Sequence, residues 1–177
     1  MHAELEKRGF PCILVRSPRT PSKTPHQDRA DAVIRALRDV KGDVVLLGIS
    51  HQAAFLPLIA ASRPVRRIVL INALIPQPGK SYAEVFQTGQ VFTRPEVLEL
   101  ALKQPGMSEV CPLQEFPKCE YVSISAEIDD TVRREWHQSA ARTFLHVEPA
   151  VIEGASRANI LAANAREVVD AAVKDLP

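Results

Sequence analysis

The stretch DVVLLGISHQ, Asp43–Gln52, decides how the rest of the chain is read. Val44–Leu47 is a short apolar run with β-branched residues at its front, the pattern of a buried strand. It ends in Gly48-Ile49-Ser50-His51-Gln52, and the residues that follow, HQAAFLPLIAAS, begin an apolar helix. Ser50 therefore stands where a strand turns abruptly into a helix. In such a turn, with a small residue ahead of it, a serine hydroxyl is lifted above the sheet, and the next backbone N–H is left free to meet an oxyanion. Gly48 supplies the small residue and His51 the N–H, while Gln52 replaces the second glycine of the G-x-S-x-G pattern. The alternative for Ser50 is a plain structural role as the cap of the helix after it.

Strands and helices alternate on either side of this turn. HAELEKRGF reads as a helix stopped at Gly9, CILVRS (Cys12–Ser17) as a strand, and Pro18–Pro25, with its prolines, as a loop. HQDRADAVIRALRDV follows as a helix with Ala30, Val33, Ile34, Leu37 and Val40 on one face. Beyond the Ser50 helix come the strand RRIVLINA, the loop LIPQPGK, and the short helices SYAEVFQTGQ and RPEVLELALKQPG. Then follow the strand KCEYVSIS, a polar turn AEIDD, the helix TVRREWHQSAARTFL, the strand HVEPAVIE and the closing helix ANILAANAREVVDAAV. The pattern predicts an α/β fold: a doubly wound parallel sheet of about five strands, the Ser50 strand central, helices on both faces, and function at the carboxyl ends of the strands. One domain spans residues 1–177, and the least regular region, residues 75–117, is expected to form a small lid.

Composition narrows the function classes. Lysine and arginine total 22 against 21 acidic residues, and neither sign gathers into a block, which argues against nucleic acid or an anionic membrane as a partner. MHAELEKRGF is charged from its first turns and lacks the apolar core of a signal peptide, and no apolar run is long enough to span a bilayer. A soluble, cytoplasmic protein is expected. Cys12, Cys111 and Cys119 form no C-x-x-C pair, which fits a reducing compartment and buried structural roles. No cofactor or metal is expected.

The order and spacing of three pieces resemble the α/β-hydrolases, in particular the small-lid branch of esterases, methylesterases and hydroxynitrile lyases. They are the turn GISHQ, the segment IVLINALIPQPGKSYAE and the stretch SAEIDDTVRREW. The resemblance runs along nearly the whole chain and implies a Ser…Asp…His triad. Ser50 takes the nucleophile's place, the N–H of His51 that of one oxyanion donor, and Ile49 and His51 line the pocket with residues of the Leu74–Pro78 loop. In the family's acid motif, near G-x-x-D-x-x-V, Ala126 stands for the glycine and Asp129 for the acid, leaving Asp130 to cap the next helix. The alternative for Asp129 is an ordinary turn aspartate.

The base is where the match fails. Its motif, near G-G-H-x-P-x-L-S, falls on Gly154-Ala155-Ser156-Arg157-Ala158-Asn159-Ile160, with Ser156 in the histidine's place. A hydroxyl has no useful basicity near neutral pH. Of the five histidines, His51 is read as pocket-lining or solvated, and His137 and His146 as lying at the sheet end remote from Ser50. His26 is read as a surface residue at a helix start, and His2 as terminal. The glycine-rich oxyanion loop and the early strands of the family have no counterpart, so an N-terminally truncated chain is expected, in which the Cys12–Arg16 and Ser50 strands pair directly or leave an edge unsatisfied. Two functions stay open: a carboxylic-ester hydrolase using Ser50 and Asp129, with impaired or no catalysis, or a non-catalytic module. That module would bind a small apolar, ester-like molecule or a protein partner, as a monomer or a homodimer.

Overall fold

Four runs of aliphatic and β-branched residues form the sheet: β1 (Val45–Ile49), β2 (Arg67–Ile71), β3 (Glu120–Ile128) and β4 (Ala150–Ser156). The computed structural model describes residues 1–15 and 25–176, so the expected loop Pro18–Pro25 lies outside the described residues except for Pro25, which begins a helix instead. All pairings are parallel, in the order β1-β2-β3-β4. Among the described residues seven helices accompany the strands: α1 (His2–Lys7), α2 (Pro25–Ala36), α3 (Leu56–Ser62), α4 (Tyr82–Thr88), α5 (Pro95–Leu102), α6 (Arg134–Ala140) and α7 (Ala165–Val173). None of them is long and apolar enough to cross a membrane.

The two-residue period of the strands divides the core into layers. Leu46, Ile68 and Leu70 face a cluster with Ala30 and Val33 of α2, Leu58 and Ile59 of α3, and Ala140 of α6. Val69, Ile71, Ile124 and Ile152 face the opposite side, where Val168 and Ala172 of α7 cover them. Every residue of β2 is buried, as expected of an interior strand covered on both faces. Arg67 belongs to that set. Its guanidinium donates to the carbonyls of Ala172 (2.9 Å) and Lys174 (2.7 Å) and pairs with Glu120, so it closes the carboxyl end of α7.

Two expectations are corrected. The described residues form four strands, because Cys12–Val15 joins none, and the Ser50 strand is an edge strand. Ile13 and Leu14 are 57% and 79% exposed. Their apolar character suggests a strand, but a strand needs a partner, and none is present among the described residues. The direct pairing of this segment with β1 is therefore not made.

Segment 75–117 is tied down by local signals. Ser81 opens α4 with a capping box: its hydroxyl accepts from the Glu84 N–H (3.2 Å) while the Glu84 carboxylate accepts from the Ser81 N–H (2.7 Å). Proline at the start of α5 fits the first helical turn, where no N–H is needed.

Candidate active site

Ser50 has a φ of 55°, directly after the extended Ile49 (φ −119°, ψ 143°). Left-handed backbone is costly for a residue with a β-carbon and persists only where the surroundings impose it. Here they do. The chain leaves β1, makes a tight 3-10 turn over Ser50–Phe55 and continues into α3. Gly48 permits that reversal: a β-carbon there would lie 2.8 Å from Leu56 Cδ1 and 3.0 Å from Ala53 Cα. Ile49, not Ser50, holds the cap position, and no side chain caps the turn. The strand-to-helix serine is thus a strained elbow with its hydroxyl turned to the carboxyl end of the sheet, where Arg157 meets it.

Asp129 follows the end of β3, and its Oδ1 accepts the N–H groups of Thr131 and Val132, each at 2.9 Å. Asp130 does not cap α6, whose cap position is held by Arg133. Between β3 and β4 the register slips: Ala126 pairs with Ile152, but Ile128 pairs with Ser156, so β4 carries two extra residues. Gly154, at φ 70°, sits in that bulge. Past it, the Arg157 N–H bonds to the Ile128 carbonyl at 3.0 Å, which delivers its side chain beside Asp129.

Arg157 joins the two residues picked out by the sequence. Its Nε donates to both oxygens of Asp129 (2.8 and 2.9 Å), one terminal nitrogen to Ser50 Oγ (3.2 Å), and the other to the Asn72 carbonyl (3.2 Å). The ion pair is largely shielded, with side chains 17% and 12% exposed. Asn72, at φ 45° and fully buried, turns back from the end of β2 and accepts the Ala126 N–H on Oδ1 at 2.8 Å. Ser156, expected in the base's place, is one residue short: its N–H bonds to Asn159 Oδ1, and the link between Ser50 and Asp129 is made by Arg157.

The histidines lie differently from expectation. His26 is buried, not superficial: its N–H donates to Glu109, its ring stacks edge-on against Tyr82, and burial, with the charges of Arg29 and His51, pushes its pKa down to about 4. His137 is buried beneath the site, its Nε2 3.4 Å from Ser123 Oγ. Ser123 lies level with Leu70 and Gly48 across the sheet, so His137 is not at the remote end; burial and the charge of Arg157, against the opposing pull of Asp129, hold its pKa at about 4. His51 is half-buried, its pKa lowered by burial and by the charges of Arg29 and Arg157. His146 ends the turn after α6 in left-handed backbone, and His2 is exposed beside Glu6.

Two concavities among the described residues lie away from Ser50. A shallow groove of about 760 Å³ crosses the amino ends of the strands, lined by Val44, Arg66 and Glu120, at the opposite end of the sheet. A second space of about 10 Å³ touches His26, Leu58, Pro76 and Tyr82 but not Ser50 or Ile49. Among the described residues no group of three histidine, cysteine, aspartate or glutamate side chains is placed to hold a metal.

A parallel sheet with helices on both faces and a serine at positive φ between strand and helix defines the α/β-hydrolase fold. Solved structures agree along almost the whole chain. The extracellular α/β-hydrolase from a Paenibacillus species, described as sharing structural and functional homology with tobacco salicylic acid binding protein 2, superposes with a TM-score of 0.70 at 16% identity, covering 98% of this chain and 91% of that one. Polyneuridine aldehyde esterase gives 0.71 at 16% identity, covering 96% and 91%. The pyrethroid hydrolase PytH gives 0.63 at 19% identity, covering 99% and 90%. No protein-family model and no curated sequence matches the chain.

Proposed function

We propose that this chain is a catalytically silent member of the ester-hydrolase class of the fold, its serine and acid kept but bound to one another through a cation. The observation that carries this reading is Arg157, which reaches Ser50 Oγ and both oxygens of Asp129 at once. Attack by a serine hydroxyl needs an acceptor for its proton, and a guanidinium has donors only. Loss of the base alone costs a serine hydrolase on the order of a million-fold in turnover, leaving roughly 10³ to 10⁴ over the uncatalysed reaction. The retained elbow suits a small ester-like ligand, in keeping with the esterase and hydrolase names of the structural neighbours. A role in binding such a ligand, rather than turning it over, follows from the same contacts.

Labelling by a fluorophosphonate tests the reading. The unmodified chain is expected to leave Ser50 unlabelled over hours, whereas Arg157→His, which puts an imidazole between Ser50 and Asp129, is expected to label. Rapid stoichiometric labelling of Ser50 in the unmodified chain contradicts it.

A further inference from the structure

We propose that the turn over residues 106–109 is a latch that holds segment 75–117 shut against the first turn of α2, with Glu109 as its fastening. Pro25 begins α2, and the N–H groups of His26 and Gln27 in its first turn have no carbonyl within the helix to meet. Glu109 reaches them from more than eighty residues away in sequence: Oε2 accepts the His26 N–H at 2.8 Å and Oε1 the Gln27 N–H at 3.3 Å. A carboxylate at the positive end of a helix is favoured electrostatically as well. Its side chain is only 9% exposed, so this is an enclosed contact rather than a surface encounter.

Gly106 makes a second, independent contact with the same helical turn. At φ 88° it lies so close that a β-carbon would stand 2.7 Å from Pro25 Cγ and 3.2 Å from His26 Nε2. The latch is also joined to the rest of its segment. Ala83 N–H bonds to the Met107 carbonyl (2.8 Å), and Lys80 and Gly79 exchange hydrogen bonds with Cys111 (3.0 and 3.1 Å). Inside, Tyr82 and Met107 share one cluster with Ala54 of the turn that starts at Ser50. Fastened this way, the segment leaves only about 10 Å³ between His26, Ala54, Leu58, Pro76, Tyr82 and Cys111, room for a single water. A small apolar molecule enters that slot only when Glu109 lets go.

Hydrogen exchange on the full chain tests the latch whether or not Ser50 turns over. Glu109→Gln is expected to speed exchange about tenfold or more across residues 79–111 and the first turn of α2, with β2 and β3 unchanged. Gly106→Ala, which pushes the turn off Pro25 while leaving Glu109 in place, is expected to give the same regional pattern, and decides the matter if the glutamine variant does not fold. The exposed Glu99→Gln on α5 serves as the silent control. Unchanged exchange over 79–111 in both variants, or acceleration spread evenly through β2 and β3, overturns the proposal.

Discussion

Asp129 and Arg157 neutralise each other in a place that water barely reaches, so removing either charge strands the other. Asp129→Asn is expected to destabilise the fold by about 1.5–3 kcal/mol, the range for hydrogen bonds to charged groups, read as a lowered urea midpoint. The buried histidines set a pH dependence with a definite sign. His26 and His137 stay neutral in the folded chain down to about pH 4, whereas the unfolded chain protonates them near the ordinary histidine value of 6.5. Between those two values the unfolded chain binds more protons, so stability falls as the pH falls, by up to about 1.4 kcal/mol per pH unit for each histidine. Well above pH 6.5, where the unfolded chain is neutral at both positions too, the contributions level off. Urea midpoints measured from pH 7 to pH 4 are expected to drop through this window, and the drop is expected to flatten in a His26→Gln, His137→Gln double variant.

At the scale of the elements, Gly48 is a packing requirement of the β1-to-α3 reversal. Gly48→Ala sets its methyl against the Ala53 backbone, 3.0 Å from its Cα, and is expected to cost about 1–3 kcal/mol in the same unfolding measurement. Arg67→Met removes the donors that close α7, and faster exchange confined to residues 165–174 is the expected signature. These elements also explain what the sequence made legible. The strand-to-helix turn at Ser50 is written in local signals, an apolar run, a glycine and an apolar helix, and the structure has the elbow there. The bridging residue is not written locally. Two extra residues in β4 shift everything beyond Gly154, and whether position 156 or 157 faces Ser50 depends on that bulge, which no single-chain pattern counts. His137 is hidden from a local reading as well: its ring packs against Ser123 of β3, level with Leu70 and Gly48 across the sheet, a contact between elements that no local pattern shows.

For the molecule as a whole, alternation of strands and helices was enough to read a parallel sheet with two helical layers, because strands that are near-continuous apolar runs need cover on both faces. Strand number and order were not, since Cys12–Val15 has strand composition but no strand partner among the described residues, where β1 stands at the edge. The central claim concerns neither count nor order but the cation between serine and acid. It is tested most directly by hydrolysis of p-nitrophenyl acetate by the unmodified chain, Ser50→Ala and Arg157→His under one set of conditions. The unmodified chain is expected to match Ser50→Ala, and Arg157→His to exceed both by about tenfold or more, a small part of what a complete triad supplies. A rate for the unmodified chain well above that of Ser50→Ala would contradict the account, because Ser50 would then have a base despite its contact with Arg157.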